Sequence, residues 1–268
     1  MKLGFVSKPE CPRCLELIRF LGGYLKDNGH DFVIESSTAR DMKVDGERIE
    51  RMRADALVTV GGDGTALWAL QRTDLPILPI KVSSLAFLSE VDASNALGYV
   101  NRLLKKDFRV EERARIKTTV NSKRLPDSLN EAVLKSTIMS KIRWFGMYLD
   151  DDFIHNIRAD GIIIATPTGS TSYSLSVGGP ILDPKVKGFI ISYMAPFTLS
   201  ARSMVVPSQS TIRVVALDKG KSIMLTLDGQ DGLEVGFHDE ISFTESEHPA
   251  RFIRFNSDFY RNTREKMT

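Results

Sequence analysis

The chain has 268 residues, of which 42% are hydrophobic and 26% charged, and this composition excludes a disordered chain, a collagen-like repeat and a disulfide-rich miniprotein. Its 36 Lys and Arg residues nearly balance its 34 Asp and Glu residues, so the net charge of +2 indicates no surface for nucleic acid. No apolar run approaches the roughly 18 residues that a membrane-spanning helix needs, and the first residues lack the apolar core of a secretion signal, so we expect a cytoplasmic protein that does not bind membranes.

The first hundred residues alternate strand-like and helix-like segments, and a length of this size favours two domains. The predicted strands are Leu3–Ser7, Asp31–Glu35, Ala56–Val60 and Ile77–Val82. The predicted helices are Cys14–Asn28, which Gly29 ends, and Ala66–Gln71. This order predicts an α/β domain over residues 1–100, built on a doubly wound and mostly parallel sheet.

The chain has two cysteines, Cys11 and Cys14, which form a Cys-x-x-Cys pair. Such a pair is compatible with half of a zinc site or with a redox dithiol. No second pair exists, and the four histidines are scattered without ligand spacing. We therefore interpret the thiols as packing residues at the start of the first helix, with Pro12 in its first turn.

From about Arg109 the hydrophobic pattern changes to an alternation with a period of two residues, which is typical of strands. Eight short strands are predicted: Ile116–Val120, Glu131–Lys135, Lys141–Leu149, Gly161–Ala165, Phe189–Tyr193, Thr211–Ala216, Ser222–Leu227 and Glu240–Thr244. They predict an all-β, sandwich-like domain over residues 101–250.

The C-terminal segment carries one more strand-like run, Phe252–Phe255, which fits either domain. Residues 251–268 are therefore the candidate for completing the first domain. This segment is locally basic, which we interpret as a solvated, frayed terminus. Its basic residues are Arg251, Arg254, Arg261, Arg264 and Lys266.

The segment Gly61–Thr65, Gly-Gly-Asp-Gly-Thr, lies directly between a predicted strand and a predicted helix. Its glycines allow a tight turn with exposed N–H groups beside a helix start, so Gly61, Gly62 and Thr65 are candidates for binding phosphate. A phosphate would repel Asp63 by about 4 kcal/mol per unit-charge pair roughly 4 Å apart. The carboxylate is explained if it holds Mg²⁺ or takes a proton from an attacking hydroxyl. The alternative is a turn in which Asp63 caps the helix.

A second polar segment follows the predicted strand Ile162–Ala165. Seven of the eleven residues from Thr166 to Ser176 are Ser or Thr, and Tyr173 adds an aromatic ring. Short hydroxyl side chains bind ribose, phosphate or a carboxamide, and a ring stacks on a base. The alternative is a capped helix after a polar loop.

Asn130 and Glu131 form a third candidate, within the strand-like run Leu129–Leu134. Adjacent residues of a strand face opposite sides, so only one of them points into a given pocket unless the strand ends or bulges there. The alternative is an exposed edge position.

Together these segments resemble the NAD kinase family, in the order Gly61–Thr65, Asn130-Glu131, Asp160–Pro180 and Asp228-Gly229-Gln230. The resemblance implies phosphoryl transfer from ATP, with Mg²⁺, to the 2′-hydroxyl of the adenosine ribose of NAD. It also implies an active site in the cleft between the two domains, and a homodimer or homotetramer whose sites borrow residues from a neighbouring subunit.

The same resemblance assigns roles to individual residues. Asp63 would accept the proton of the ribose hydroxyl, with Gly64 beside it on the dinucleotide. Asn130 and Glu131 would contact NAD, and Asp160 would contact its nicotinamide end. No metal ligand is assigned to the protein itself, since Mg²⁺ is expected to arrive with ATP.

Further contacts with the dinucleotide follow from the same match. Arg158 would face a phosphate, Ala195 would contact the ligand through its backbone, and Gln230 would lie near it. The other residues assigned to NAD are Phe87, Lys141, Thr168, Thr171, Ser172, Tyr173, Ser174 and Ser176.

The chain departs from the family pattern in two places. Where relatives read Asn-x-Gly-x-Leu-Gly-Phe-Leu, residues 81–88 read Lys-Val-Ser-Ser-Leu-Ala-Phe-Leu, and Trp68 stands where relatives often have a basic residue. Two alternative functions stay open. One is a lipid kinase of the diacylglycerol or sphingosine type, which shares the glycine-rich segment, and the other is a non-catalytic dinucleotide-binding module.

Overall fold

The computed structural model describes residues 1–82, 86–138, 141–230, 232–237 and 239–256. The chain divides into two compact units. Unit 1 comprises Met1–Glu112 and the chain from Ala250 onward, and unit 2 comprises Arg113–Pro249. The first domain boundary predicted from the sequence, at residues 100 and 101, falls inside a helix of unit 1.

Unit 1 is an α/β domain. Its helices are α1 (Pro12–Asp27), α2 (Ser36–Met42), α3 (Asp63–Leu70) and α4 (Ala96–Leu104). Its strands are β1 (Lys2–Ser7), β2 (Asp31–Ile34), β3 (Ala56–Gly61), β4 (Ile77–Lys81), β5 (Val91–Asp92), β6 (Arg109–Arg113) and, from the end of the chain, β19 (Ala250–Arg254).

The seven strands form one sheet in the order β2-β1-β3-β4-β19-β6, with β5 paired to β4. The pairings of β1 with β2 and β3, and of β4 with β3, β5 and β19, are parallel. Successive residues of β3 are buried on both faces, as expected for a parallel sheet covered by helices. The predicted α/β fold class of this part of the chain is confirmed.

Helix α1 begins as its sequence predicts, with Pro12 in the first turn and Cys11 as the N-cap. Its buried residues Ile18, Leu21 and Leu25 recur at helical spacing and face the sheet. Our interpretation of the cysteines as independent packing residues was wrong, because Cys11 and Cys14 are joined in a disulfide. Three residues of separation at a helix start bring the two sulfur atoms within bonding reach.

The C-terminal strand completes the sheet of unit 1. Phe252 of β19 lies opposite Ile77 of β4, and both side chains are fully buried. The interpretation of the basic C-terminal segment as a solvated terminus was wrong for Arg254, which is 7% exposed. Except for Arg251, the other basic residues of that segment lie within residues 257–268, which are outside the described residues.

Unit 2 is built almost entirely of antiparallel strands. They are β7 (Ile116–Val120), β8 (Lys123–Arg124), β9 (Glu131–Ser136), β10 (Arg143–Leu149), β11 (Asp152–Ala159), β12 (Gly161–Ala165), β13 (Gly188–Met194), β14 (Met204–Pro207), β15 (Ile212–Ala216), β16 (Ile223–Leu227), β17 (Gly232–Val235) and β18 (Glu240–Glu245). A short helix, α5 (Tyr173–Ser176), follows a single 3₁₀ turn at Thr168–Thr171.

These strands form two six-stranded sheets. The first has the order β11-β10-β15-β18-β7-β8 and the second the order β14-β13-β12-β9-β16-β17. Alternate residues of both sheets, such as Phe145 and Val214 in the first and Leu134 and Ile164 in the second, share one buried core. This is the packing of a β-sandwich, which confirms the fold class predicted for the second domain.

The outer face of the second sheet carries its own small apolar cluster. Val133, Ile163 and Ile190 point away from the sandwich core and pack with Val177 and Leu182. The Ser- and Thr-rich segment therefore lies over the middle of the second sheet.

In the parts of the chain that the structure describes, no helix has the length and apolar character that crossing a bilayer demands.

Candidate functional site

The glycine-rich segment of unit 1 forms the junction between β3 and α3. Gly61 is the last residue of β3, Gly62 is the N-cap, and Asp63 is the first residue of α3. A Cβ atom on Gly61 would lie 2.5 Å from Oγ1 of Thr65 and 2.9 Å from the Cβ of Lys8. The tight turn therefore requires glycine at this position.

The backbone beside the two other glycines is open. Apart from the neighbouring residues in the chain and the backbone of α3, no described atom lies within 4 Å of the place where a Cβ of Gly62 or Gly64 would stand. The N–H groups in the first turn of a helix lack intrahelical partners, and the helix dipole places partial positive charge there. Chemically, this helix start can receive a phosphate at close range.

The carboxylate of Asp63 does not cap α3, contrary to the alternative weighed from the sequence. Its Oδ2 accepts a hydrogen bond from the N–H of Phe87 at 2.6 Å, and its Oδ1 accepts one from the N–H of Leu88 at 3.0 Å. The two bonds fix the plane of the carboxylate. A carboxylate has about four lone-pair positions, so two remain for a ligand. Residues 83–85, within the segment that departs from the family pattern, lie outside the described residues.

In unit 2, Asn130 and Glu131 stand at the start of β9, between β12 and β16 in the middle of the second sheet. The exposed-edge alternative is therefore wrong. Asn130 precedes the strand, so the alternation of strand side chains does not constrain it. Oδ1 and Oδ2 of Asp228 accept the N–H groups of Leu129, Asn130 and Glu131 at 2.7, 2.7 and 3.1 Å.

The side chain of Glu131 is buried on the outer face of the second sheet. The pKa of Glu131 is raised to about 7, mainly by burial and then by the negative charge of Asp228, whereas hydrogen bonds from Ser172 and Tyr173 act in the opposite direction. Its Oε1 lies 3.4 Å from the hydroxyl of Ser172, and its Oε2 is buried without a hydrogen-bond partner. A carboxyl group in this state can hold or release a proton near neutral pH.

The backbone of Thr166–Gly169 is fastened to the Asn130 segment. The N–H of Thr166 donates to the carbonyl of Asn130 at 2.9 Å, and its hydroxyl donates to the carbonyl of Leu129 at 2.5 Å. A Cβ on Gly169 would lie 2.0 Å from the carbonyl oxygen of Asn130. The structure thus brings Asn130, Glu131 and the start of the hydroxyl-rich segment together.

The hydroxyl-rich segment presents some of its predicted residues and buries others. Thr168 receives a hydrogen bond from Arg113 at 3.3 Å, and Thr171 lies within hydrogen-bond distance of the carbonyl of Thr168. Tyr173 and Ser176 are exposed. Ser174 is fully buried and bonds to Ser192 at 3.1 Å, so its hydroxyl faces the sheet.

Gln230 belongs to the same end of the sheet. Its amide Nε2 lies 3.4 Å from the carbonyl of Asp228, in the turn that follows β16. Asp228 and Gly229 both have left-handed backbone conformations, with φ of +53° and +65°. This turn aims the carboxylate of Asp228 at the start of β9.

Arg158 lies on the other side of the sandwich. Its neighbours Ile157 and Ala159 are buried, so the alternation of strand β11 turns Arg158 outward, opposite Trp144. Its guanidinium carbon is 5.5 Å from the ring centroid of Trp144 and 5.0 Å from that of Phe197. The guanidinium therefore lies within cation–π distance of two aromatic rings.

Asp160 and Ala195 accompany Arg158. The N–H of Asp160 donates to the carbonyl of Met194 at 2.9 Å, and Ala195 has a left-handed φ of +41°. Asp160 and Thr166 flank the five-residue strand β12, which separates them by about 20 Å. The structure therefore does not bring Arg158, Asp160 and Ala195 together with Asn130 and Glu131. Lys141 is exposed and adjoins residues 139–140, which are outside the described residues.

Reasoning from the sequence missed two polar residues at these sites. Asp228 was recognised as part of a turn and of a matching segment, but its carboxylate was given no role, although an Asp-Gly turn can orient that carboxylate. Arg113 gave no signal, because its contact with Thr168 joins residues far apart in sequence. In the described portion of the chain, no group of three or more His, Cys, Asp or Glu side chains is arranged to hold a metal ion.

Comparisons with known proteins identify the family of the chain. Residues 11–108 match the family model described as ATP-NAD kinase N-terminal domain. Residues 129–255 match the family model described as ATP-NAD kinase C-terminal domain. A protein of Methanothermobacter thermautotrophicus named NAD kinase is 38% identical over 273 residues, which cover 100% of this chain and 96% of that protein.

Two solved structures have the same fold. A yeast NADH kinase complexed with NADH aligns with a TM-score of 0.88 at 24% identity, over 100% of this chain and 87% of that one. An NAD kinase from Archaeoglobus fulgidus in complex with ATP aligns with a TM-score of 0.82 at 28% identity, over 99% of this chain and 98% of that one. The chain belongs to the NAD kinase family.

Proposed function

We propose that this protein transfers a phosphoryl group from ATP to the 2′-hydroxyl of the adenosine ribose of NAD and so produces NADP. The observation that carries the proposal is the carboxylate of Asp63, held by the N–H groups of Phe87 and Leu88 at the start of α3. The family membership of the chain supports the reaction, and the ATP complex of the Archaeoglobus fulgidus relative supports ATP as the donor.

In this mechanism Asp63 is the general base. A ribose hydroxyl is a weak nucleophile, and a positioned carboxylate accelerates its attack by accepting its proton. The open backbone at Gly62 and Gly64 and the start of α3 receive the donor phosphates, together with Gly61 and Thr65. Because two lone-pair positions of the carboxylate are already occupied by amides, its remaining positions face the ligand in a fixed orientation.

Magnesium is the expected companion of ATP. Mg²⁺ prefers oxygen ligands and is commonly held by one or two carboxylates together with substrate phosphates, and the carboxylate of Asp63 fits such a position. When bound, the ion supplies neutralisation of the charge on the transferring phosphoryl group.

The residues at the start of β9 would bind NAD together with the hydroxyl-rich segment. Asn130, Glu131, Ser172 and Gln230 lie at one end of the second sheet, with short polar side chains that suit ribose hydroxyls and a carboxamide. Thr168, Thr171, Tyr173 and Ser176 continue this surface, and Phe87 and Gly64 stay contacts that the family resemblance implies. The buried hydroxyl of Ser174 supports the sheet beneath them.

Arg158, Asp160 and Ala195 would serve the site of a neighbouring subunit. Arg158 is on the opposite face of the sandwich from Glu131, and two packed sheets are about 10 Å apart. An NAD molecule bound at Glu131 would have the sandwich between it and Arg158 of the same chain. This separation supports a homodimer or homotetramer with shared sites, to which Lys141 would add a basic contact. The cytoplasmic location stays a prediction from the sequence.

The test is turnover of Asp63→Asn with Mg²⁺, ATP and NAD. We expect NAD binding to be kept and turnover to fall by at least about a hundredfold, because the amide cannot accept the proton. The matched control is Asp55→Asn, since Asp55 is an exposed carboxylate of the same unit that accepts one backbone N–H at 2.7 Å. Unchanged turnover of Asp63→Asn would exclude this mechanism.

The two alternative functions are separated by the products. The purified protein is given Mg²⁺ and ATP with NAD, NADH or diacylglycerol, and the products are identified by mass spectrometry. A phosphorylated lipid would indicate a lipid kinase, whereas calorimetric binding of NAD without a phosphorylated product would indicate a binding module. The polar side chains at the start of β9 favour a dinucleotide over an apolar acceptor.

A further inference from the structure

One of the two residues that orient Asp63, Leu88, is itself held through its carbonyl group. The N–H of Leu88 donates to Asp63, and the carbonyl oxygen of Leu88 accepts a hydrogen bond from Nη1 of Arg254 at 2.7 Å. The segment 86–88 therefore lies between the carboxylate at the start of α3 and an arginine of the C-terminal strand. Any displacement of Leu88 moves one of the two donors that fix the carboxylate.

Arg254 is itself firmly placed within unit 1. Its side chain is 8% exposed, and its Nε donates to Oε2 of Glu111 on β6 at 2.9 Å. Its guanidinium also lies over the ring of Phe252, 4.6 Å from the centroid. A buried arginine that is paired with a carboxylate and covered by a ring has a single orientation, because leaving that geometry would strand a buried charge.

A second bond ties the same loop to the same strand end. Glu90 accepts the N–H of Phe255 through its Oε1 at 2.5 Å. The loop that carries Phe87 and Leu88 is thus connected to the C-terminal strand at Leu88 and again two residues later. The C-terminal strand therefore does more than extend the sheet, since it holds the loop against Asp63.

We propose that Arg254, held by Glu111, is a positioning residue for phosphoryl transfer, which acts by fixing residue Leu88 through its carbonyl group and, through the N–H of Leu88, the carboxylate of Asp63. This inference rests on the proposed function, because it assigns Arg254 an effect only through the general base. Arg254 touches neither substrate in this account. A displacement of about 1 Å of a catalytic group can cost about a hundredfold in rate without changing the binding of substrates.

The experiment compares Arg254→Gln with the unmodified protein in steady-state kinetics on the full chain. We expect kcat to fall by about 10- to 100-fold, with KM for NAD and ATP changed by less than about threefold. The kcat of Arg254→Lys should be at least about threefold higher than that of Arg254→Gln, because the ammonium group of lysine still donates to the carbonyl of Leu88. A role confined to stability would lower the unfolding temperature and leave kcat per folded molecule unchanged, which would overturn the proposal.

The decisive measurement places Arg254→Gln in the Asp63→Asn background. If Arg254 acts through Asp63, its substitution changes the residual kcat there by less than about twofold, because residues that act as a unit are not additive. An equal loss in both backgrounds would overturn the proposal.

The matched control is Arg251→Gln. Arg251 lies on the same strand and also donates to a backbone carbonyl of unit 1, that of Asp74, but it is remote from Leu88 in this hydrogen-bond network. We expect its kcat to stay within about twofold of the unmodified protein. A comparable loss of kcat in Arg251→Gln would show a general effect of the strand and would overturn the proposal.

Should Arg254→Gln not fold, Glu111→Gln provides the second variant. It keeps the bond to Leu88 but removes the charge that orients the guanidinium, so we expect a fall in kcat of about three- to tenfold at constant KM. An unchanged kcat in this variant would overturn the proposal.

The outcome for Asp63→Asn separates a failure of the proposed mechanism from a failure of the role proposed for Arg254. A collapse of turnover in Asp63→Asn with unchanged kcat in Arg254→Gln rejects only the role of Arg254. Unchanged turnover in Asp63→Asn rejects the proposed mechanism, and the role of Arg254 falls with it.

Discussion

Glu131→Gln is expected to remove a large part of the pH dependence of the stability of unit 2. Burial, and then the charge of Asp228, raises the pKa of Glu131 to about 7, compared with an ordinary value of 4.5. The folded state therefore keeps the proton over a pH range in which the unfolded chain has lost it. Glutamine has a similar shape and stays neutral at every pH.

The magnitude follows from the linkage between proton binding and folding. Because the folded pKa is raised, the stabilising contribution is fully present below pH 4.5 and is lost as the pH rises towards about 7. Each pKa unit by which the folded and unfolded values differ corresponds to about 1.4 kcal/mol. The unmodified protein should therefore lose about 3 kcal/mol of unfolding free energy through this group. Glu131→Gln should not show this loss. Its unfolding free energy relative to that of the unmodified protein should therefore increase between pH 4.5 and pH 8.

The assay can address unit 2 alone. The chain has two tryptophans, and Trp144 lies on β10 whereas Trp68 lies on α3 of unit 1. In a Trp68→Phe background, the fluorescence of Trp144 therefore reports urea unfolding of unit 2 without ligands. Glu234→Gln on β17 is the control, since Glu234 is exposed. If Glu131→Gln and the Trp68→Phe parent lose the same amount of unfolding free energy between pH 4.5 and pH 8, the reasoning from burial is refuted.

Two further predictions concern backbone fit and shared sites. Gly169→Ala should lower the unfolding free energy of unit 2 by about 1–3 kcal/mol in urea, because its Cβ would lie 2.0 Å from the carbonyl oxygen of Asn130. Gly98→Ala in α4 meets no described atom within 4 Å and should stabilise the protein by about 0.5–1 kcal/mol, and equal effects of the two changes would contradict this assignment. Co-expression of Arg158→Ala with Asn130→Ala should restore about a quarter of the activity if each site of a dimer takes Arg158 from the partner. A mixture as inactive as each variant alone would exclude sharing of Arg158.

The sequence predicted those elements whose side chains repeat with a clear period. Helix α1 and strand β16 were recognised because their buried residues recur at helical or alternating spacing, and the central strands β9 and β12 because they are short runs of successive buried residues. Strand β11 was missed because its alternation is broken: Phe153 is exposed, whereas His155 occupies an inward position. Its pairing with β10 is also interrupted by a register shift at Met147 and Tyr148.

The candidate site shows the same division. The position of Asp63 at a strand-to-helix junction follows from local sequence, because glycines and a helix start identify it. The partners of its carboxylate do not, since Phe87 and Leu88 are 24 and 25 residues away and meet it only through the folded loop. The bond from Arg254 to Leu88 spans 166 residues, which no local pattern encodes.

The return of β19 to unit 1 also determines the order in which the units become complete during synthesis. Unit 2 is continuous from Arg113 to Pro249, so all of its strands leave the ribosome before the last strand of unit 1. Domains usually fold during translation from the N-terminus onward. Here the nascent chain holds an unfinished sheet of unit 1 while the inserted sandwich forms, and the arginine that holds the carbonyl of Leu88 emerges only after the whole of unit 2.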